Sequence, residues 1–288
     1  MLRLTATVLL AALATVASAQ SDLDDFMAQV LSQRDENWRK LAQYTLAEEE
    51  RFELTGTGGR RLYGFSRDYL WFPKDDLFVR SPTRADGVAV GEEERRRAEE
   101  RWIQRERNPN GNRERGNESD AAGLNDLIAP GQQPRFVSSA YFMKFKFEPG
   151  HYALVGRERL LDRDVLRIEY YPERLFGDSK PDSNPEEVQI QRAMNKVALV
   201  TLWVNQADRQ ILQYEFRNID FDFLPGRSLA RVDDMTASMR MGQPFTNVWL
   251  PESISMRFAM TLPVGTANAR YSVRYHDYKE AVVGVRVR

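Results

Sequence analysis

Apolar and polar residues alternate through much of the second half of the chain, and this pattern predicts strands. Every second residue is apolar between Met235 and Met241, and the same holds at 254–262 and 271–275. Successive side chains of a strand point to opposite faces, so a period of two is typical of strands with one buried face. We predict about ten strands, mostly in sequential hairpins, in a large antiparallel sheet whose second face is hydrated.

Three hairpins can be placed because short turn segments separate pairs of β-rich arms. The first turns at the glycine-rich residues 56–59, the second near 162–163 and the third near 206–207. The glycines are not a phosphate-binding loop, because such a loop leads into a helix and this one leads into another strand. The three turns are therefore predicted to join neighbouring strands.

Three further segments show strand patterns. A short strand is predicted at 76–81, and alternation across 141–147 predicts another. The apolar positions change phase between Phe216 and Ile219, which predicts a bulge near Arg217–Asn218 because a bulge re-aims the side chains that follow it.

Helical spacing is found at two places before the strands dominate. Apolar residues recur at helical spacing over 22–43, which predicts an amphipathic helix lying on an apolar surface. The segment 91–107 predicts a charged helix, with Glu92–Arg96 and Glu93–Arg97 as i,i+4 ion pairs. A weaker helix is predicted at 118–128.

The charged helix is not a nucleic-acid arm. Residues 92–118 contain eight arginines and eight glutamates, so the segment lacks the positive excess that phosphate binding requires. Its large apolar residues, Trp102 and Ile103, can rest one edge on the body of the protein. We treat these two residues as a possible lid over the mouth of the sheet.

The first 19 residues have the pattern of a secretory signal peptide. Arg3 precedes an apolar run from Leu4 to Val16, and the small residues 17–19 suit cleavage before Gln20. We therefore expect a periplasmic or secreted protein. Removing this segment takes one arginine from 41 basic residues and leaves the 42 acidic ones, so the net charge becomes −2. The chain has no cysteine, so a packed core must stabilise it without disulfides.

Candidate catalytic groups are few and scattered. The two histidines, His151 and His276, do not have metal-ligand spacing. Asp220 and Asp222 share one strand face, opposite the neighbouring apolar residues, so we expect both in water, where nothing raises the pKa of a general acid. We therefore predict no catalytic residue, no metal site, no cofactor, no nucleic-acid partner and no transmembrane segment.

Methionines suggest a binding surface. Five of the methionines lie between Met235 and Met260, on the apolar faces of two predicted strands. Methionine is flexible and polarizable, so it suits surfaces that accept variable apolar partners, although plain core packing explains the same pattern. The candidate lining is Met235, Met239, Met241, Met256, Phe258, Met260, Trp249 and Phe221.

Several hairpins resemble those of the bacterial carriers that sort outer-membrane lipoproteins. The similar stretches are VALVTLWVNQADRQILQYEF, YALVGRERLLDRDVLRIEYYP and NVWLPESISMRF, and the resemblance covers roughly 22–80 and 140–280. It implies an incomplete, strongly curved antiparallel barrel whose opening is covered by helices. For this chain we therefore expect an α+β, mainly β fold, a large curved antiparallel sheet with an N-terminal helix and an inserted charged helix covering it. The resemblance also implies a chaperone for acyl chains. The chain departs from the pattern at a charged insertion of about 82–134, and at Asn205-Gln206, where relatives often have Asp-Pro.

The sequence thus predicts a leader at 1–19 and one carrier-like domain at 20–288. The leading functional hypothesis is a non-enzymatic carrier or binder of a lipid, an acyl chain or a lipoprotein. Two alternatives remain open. One is a cell-envelope interaction or sensor module with a solid core and a protein partner, and the other is a hydrolase using dispersed carboxylates.

Overall fold

The computed structural model of the protein describes residues 2–107, 139–172, 198–219, 231–262 and 265–281. In chain order its elements are α1 (Leu2–Leu41), β1 (Tyr44–Thr55), β2 (Arg61–Lys74), β3 (Leu77–Ala85), β4 (Val88–Ala89), α2 (Glu92–Arg107), α3 (Ser139–Lys144), β5 (Tyr152–Leu160), β6 (Arg163–Tyr170), β7 (Ala198–Asn205), β8 (Gln210–Ile219), β9 (Arg231–Phe245), β10 (Val248–Leu262) and β11 (Gly265–Glu280). The fold is mainly β, with helices, as predicted.

All eleven described strands form one antiparallel sheet in the order β4-β3-β2-β1-β11-β10-β9-β8-β7-β6-β5. The strands β5 to β11 follow one another as neighbours, and β1 then pairs with β11, so that β1 to β4 extend the sheet beyond β11. Strands β4 and β5 are its two edges, and the sheet is not closed into a barrel.

Tight turns between the strands fix the register of the hairpins. Residues in the left-handed region occupy the turns at Asp75–Asp76, Asp86–Gly87 and Leu161–Asp162. Aspartate tolerates this conformation better than most residues, and turns of this handedness match the twist of the strands that they join. The three predicted hairpins are confirmed, with pairings β1–β2, β5–β6 and β7–β8.

The period-two pattern separates an inner face from an outer face. Along β11 the residues Ala267, Ala269, Tyr271, Val273 and Tyr275 are buried, and the residues between them are all exposed. Because strand pleats alternate, this pattern places the apolar residues on the inner face and leaves the outer face to arginine, glutamate and serine.

Helices cover different parts of the sheet. The helix α1 contacts β5, β8 and β10, and α3 contacts α1, whereas α2 contacts β3. The side chains of Met27 and Val30 on α1 are fully buried, which is why the amphipathic pattern appears in the sequence. The helix predicted at 22–43 is confirmed as far as Leu41, and the helical backbone also continues back to Leu2.

Two predictions about local structure were wrong. The segment predicted as a strand at 141–147 begins within the helix α3, where Phe142 and Met143 are both buried, a pattern of adjacent buried residues that a half-exposed strand does not allow. The bulge near Arg217–Asn218 is absent, since the pairing of β8 with β9 runs without a shift through Ile219. The helix predicted at 118–128 lies outside the described residues.

Candidate functional site

The inner face beneath α1 and α3 is filled by aromatic side chains. The ring centres of Phe142 and Phe216 are 5.0 Å apart, and those of Phe145 and Phe216 are 5.1 Å apart. On the other side of Phe145, Phe147 lies 4.9 Å from Tyr170 in an edge-to-face contact. Such pairs add to the stabilisation from burial, so this part of the sheet is a solid core.

The methionine-rich strands belong largely to this packed core. The side chains of Met239, Met241 and Met256 are at most 2% exposed. Trp249 and Phe258 are also buried, whereas Met235 is only partly buried. Phe221 lies outside the described residues, as does the side chain of Met260.

A cavity of about 710 Å³ lies between the helices and the sheet, at the end of α1. Its helical walls come from α1, α2 and α3, and its sheet wall comes from β1, β2, β3, β10 and β11. The large apolar or aromatic residues that line it are Trp38, Leu41, Leu46, Trp71, Leu77, Phe78, Trp102, Tyr275 and Tyr278. Among the described residues of the predicted methionine-rich lining, none lines this cavity.

Charged residues also border the cavity. Arg39 and Lys144 lie on the helical side, and the ammonium nitrogen of Lys144 is 4.7 Å from the centre of the Trp38 ring, a cation–π contact. Asp76 and Glu106 lie at the α2 side. The cavity therefore combines apolar walls with charges of both signs, an arrangement that suits an amphipathic ligand.

The helix α2 is attached beside this cavity by Trp102. Its indole Nε1 donates a hydrogen bond to the carbonyl oxygen of Phe78 on β3, at 3.1 Å, and its ring meets that of Trp71 edge-on at 5.3 Å between centres. Ser81 of β3 donates a hydrogen bond to Glu99 of α2. Ile103 is half-buried. The two predicted lid residues thus lie on the attached side of α2, and Trp102 lines the cavity.

The predicted ion pairs along α2 are partly present. Glu93 and Arg97 form the expected i,i+4 pair, and Arg95 pairs with Glu99 at 3.9 Å. A pair between Glu92 and Arg96 is not among the ion pairs of the described residues. Surface pairs of this kind contribute little, so α2 depends chiefly on Trp102 for its attachment.

A buried cluster of charged residues lies on the inner face of β1 and β3. Glu48, Glu50 and Arg80 are at most 2% exposed. Arg80 forms an ion pair with Glu48 and lies 3.3 Å from a carboxylate oxygen of Glu50. Trp71 donates to Glu48, and Tyr271 donates to Glu50 at 2.8 Å. We call Glu48, Glu50 and Arg80 the buried ion cluster.

Two members of the buried ion cluster, Glu48 and Arg80, have shifted pKa values. Burial raises the pKa of the Glu48 carboxyl above its usual value and outweighs the opposing charge of Arg80. Burial opposes the charge of Arg80, but the carboxylates of Glu48 and Glu50 hold the pKa of its guanidinium well above the usual value. Burial also raises the pKa of Tyr69, whose ring lies 3.4 Å from the Arg80 guanidinium, to about 12.

Sequence reasoning missed the buried ion cluster, although a signal for it exists. Glu48 and Glu50 share their strand parity with Leu46 and Phe52, both of which are buried. Two glutamates at core-facing positions of one strand require a buried cation, and Arg80 lies on β3 at a position that pairs with Trp71. The cluster could therefore have been predicted from the parity of β1.

The histidines and acids considered as catalytic candidates lie apart where the structure describes them. His276 is partly exposed and lies 3.3 Å from Glu49, and His151 contacts the Tyr170 ring. Asp220 and Asp222 lie outside the described residues, and Asp234 is exposed. Within the described ranges, no group of three or more histidine, aspartate or glutamate side chains could hold a metal ion. Across the same ranges, no helix combines the length and apolar character needed to span a membrane.

Among the comparisons with known proteins, similarity was found only to solved structures. No family model matches the sequence, and no curated protein matches it. An outer membrane lipoprotein-sorting protein domain from Vibrio parahaemolyticus is similar over 89% of this chain and 94% of that chain, with 11% identity and a TM-score of 0.36. A DUF1329 family protein from Desulfovibrio piger is similar over 88% and 92%, with 11% identity and a TM-score of 0.39.

A third neighbour is the Pseudomonas aeruginosa MucA/MucB complex, at 8% identity and a TM-score of 0.19, over 88% of this chain and 94% of that chain. A lipoprotein-sorting domain is thus among the solved structures that are similar to this chain, as the sequence resemblance indicated.

Proposed function

We propose that this protein is a non-enzymatic carrier or binder of an acyl chain, which it holds in the cavity between α1, α2 and the sheet. The observation that carries the proposal is the cavity itself. Its volume of about 710 Å³ and its tryptophan, tyrosine and leucine walls suit a flexible apolar chain. The bound acyl chain belongs to a free lipid or to a lipoprotein. The proposal includes export by the leader at 1–19, so that the protein works in the cell envelope.

The position of the cavity also supports a role for α2. Trp102 both lines the cavity and attaches α2 to the Phe78 carbonyl oxygen on β3. Since this helix has no fully buried residue, few contacts must break for it to move. In the proposal, α2 acts as the lid and Trp102 as its latch.

A pair of leucine-to-tryptophan variants tests whether the cavity binds the chain. Leu77 is in the cavity wall, so Leu77→Trp fills part of the space, whereas Leu154 is 54% exposed on the edge strand β5. The mature protein and both variants are titrated with an environment-sensitive fluorescent fatty acid. We expect Leu77→Trp to weaken binding at least about tenfold and Leu154→Trp to leave it unchanged, because displacing two methylenes of the acyl chain, at about 0.8 kcal/mol each, costs more than the roughly 1.4 kcal/mol of a tenfold change.

Two results of this titration would contradict the proposal. The first is that the unmodified protein does not bind the fatty acid. The second is that Leu77→Trp and Leu154→Trp bind the fatty acid equally well, which would mean that the acyl chain binds outside the cavity.

The lid is tested separately by the rate of uptake. Trp102→Ala removes both the hydrogen bond to Phe78 and the edge-on contact with Trp71. We expect faster binding and faster release of the fluorescent fatty acid, measured by stopped-flow mixing. Exchange rates equal to those of the unmodified protein would show that α2 does not gate the cavity.

A further inference from the structure

A second concave site lies on the outer face of the sheet. It is a groove of about 910 Å³ over β1, β2, β10 and β11. Its exposed or half-exposed polar residues are Arg51, Glu53, Arg61, Ser66, Asp86, Ser255, Arg257, Arg270 and Ser272. These residues alternate along their strands with buried residues such as Phe52 and Tyr271, so the groove and the buried core lie on opposite faces of the sheet.

Two arginines stand directly opposite each other in this groove. Arg257 on β10 and Arg270 on β11 are cross-strand partners, and both are exposed. Like charges in directly opposite positions destabilise a sheet. Neither arginine belongs to an ion pair among the described residues. On its other side Arg270 has Glu53 of β1 as its cross-strand partner, which offsets part of this charge without forming an ion pair with either arginine among the described residues.

Other arginines on the outer face behave differently. Arg217 pairs with Glu215 at 2.9 Å, Arg240 with Glu252 at 2.9 Å, and Arg274 with Glu49 at 2.6 Å. These three arginines of the outer face are thus held in ion pairs with acids on the same face. The unpaired state of Arg257 and Arg270 is a feature of the groove and not of the whole face.

Hydroxyl groups lie beside the two arginines. Ser255 and Ser272 are opposite each other, each two residues along its strand from an arginine of the pair. Side chains two apart on a strand share a face, so the hydroxyls and guanidinium groups line one surface. The Ser255 hydroxyl also contacts that of Ser238 at 2.9 Å, and it keeps further hydrogen-bonding capacity.

A third arginine reaches the same face through an irregularity in the sheet. The pairing of β1 with β2 shifts between Leu54 and Thr55, which places Arg61 opposite Thr55. A side chain added at Gly64 would come within 2.6 Å of the Arg61 guanidinium, so that guanidinium lies across the bare backbone of this glycine. Only glycine at this position leaves that space free.

Two acids reduce the charge of the groove without cancelling it. Four arginines line it, at positions 51, 61, 257 and 270, against Glu53 and Asp86, which leaves a difference of +2. Asp86 already accepts a hydrogen bond from the backbone amide of Ser66 at 2.8 Å. Arg51 donates to Ser66 and to Glu49, so it is held at the rim.

We propose that this groove binds a phosphate group, with Arg257 and Arg270 as its two principal donors and the hydroxyls of Ser255 and Ser272 completing the set. Guanidinium groups match the oxygens of phosphate in pairs, and the bound anion removes the repulsion between the two arginines. The phosphate belongs either to a lipid headgroup or to a soluble compound, because the groove chemistry is the same for both.

The test compares two double variants that remove the same charge from the same face. Arg257→Gln with Arg270→Gln removes the unpaired arginines, and Arg217→Gln with Arg240→Gln removes two that are already paired. The full mature chain is titrated with inorganic phosphate by calorimetry, and it is floated with vesicles of phosphatidylglycerol or of phosphatidylcholine. We expect the first double variant to bind at least about tenfold more weakly and the second to stay within about twofold of the unmodified protein.

The two experiments, titration with inorganic phosphate and flotation with vesicles, distinguish a soluble phosphate compound from a lipid headgroup. Phosphate binding that depends on the unpaired arginines, without flotation, supports a soluble ligand. Flotation with phosphatidylglycerol alone, with the same dependence, supports a lipid headgroup. Equal weakening in both double variants would reduce the effect to general surface charge and overturn the proposal, as would the absence of binding in both arms. Neither outcome depends on whether the cavity on the inner face holds an acyl chain.

Discussion

The two halves of the inner face are built in opposite ways. Beneath α1 and α3, strands β5 to β10 carry aromatic and aliphatic side chains in a solid core. Beyond β11, strands β1 and β3 carry the buried ion cluster of Glu48, Glu50 and Arg80. The change from apolar to charged residues can be followed along one line of cross-strand neighbours. Ile254 on β10 pairs with Val273 on β11, and Val273 pairs with Glu50 on β1.

Apolar packing and buried charge stabilise the two halves to different degrees. Apolar packing gains free energy from every contact, whereas a buried ion pair loses in desolvation much of what it gains in attraction. The half that carries the buried ion cluster is therefore stabilised partly by charge pairs and not by apolar packing alone. The helix α2, which borders the cavity, is attached on this side, and in the proposal this is where the ligand enters.

The largest expected effect comes from breaking the buried ion cluster. Arg80→Met leaves Glu48 buried without its cation and leaves Glu50 with only Arg67, 3.9 Å away, so we expect the free energy of unfolding to fall by about 3–5 kcal/mol. Urea denaturation monitored by circular dichroism measures this change in the free energy of unfolding. Adding Glu48→Gln and Glu50→Gln to Arg80→Met should restore most of the loss. If the triple variant is as unstable as Arg80→Met alone, the loss comes from packing rather than charge.

A change of volume in the aromatic half should have a smaller effect. Phe216→Leu removes ring contacts with Phe142 and Phe145 but leaves an apolar side chain. We expect a loss of about 1–2 kcal/mol in the free energy of unfolding, nearly independent of pH, from the same denaturation experiment. A loss that changes strongly with pH would show that charge also matters in this half.

The attachment of α2 should show a local effect. Trp102→Phe keeps an aromatic ring but removes the hydrogen bond to the Phe78 carbonyl oxygen. We expect the free energy of local opening of α2 to fall by about 1 kcal/mol, measured by amide hydrogen exchange, with little change in β5 to β8. Uniformly faster exchange throughout the sheet would contradict a local role.

The smallest expected effect is a dependence of stability on pH. Burial raises the folded-state pKa of Glu48 above its usual value of 4.5. The protonated form of Glu48 therefore contributes stability that is fully present below about pH 4.5 and is lost as the pH rises through the raised pKa. Glu48→Gln lacks this contribution, so the stability of the unmodified protein relative to the variant should decline as the pH rises. A relative stability that increases with pH would show that Arg80 outweighs burial.

Much of the fold could be predicted because strand parity and turn residues are local signals. The alternation over 235–262 and the turn at Asp162 indicated the hairpins that the structure shows. The charged helix at 92–107 was equally clear, because its ion pairs lie within one element. The pairing of β1 with β11 is a contact between distant segments that no local pattern indicates.

The candidate site was harder to predict than the fold. Methionines such as Met239 mark a sheet face but do not reveal whether that face is packed or open. The cavity depends on where Trp38, Trp71 and Trp102 meet, on three separate elements. Its location follows from how the helices cover the sheet, which only the three-dimensional structure shows.

Tryptophan quenching by a brominated fatty acid tests the acyl-chain cavity most directly. Bromine quenches tryptophan only at short range. The chain has five tryptophans, of which Trp38, Trp71 and Trp102 line the cavity, while Trp203 and Trp249 do not. The proposal predicts strong quenching when Trp203 and Trp249 are replaced by phenylalanine, and little when the other three are replaced instead. Equal quenching in both variants, or quenching chiefly of Trp203 and Trp249, would contradict the proposed binding site.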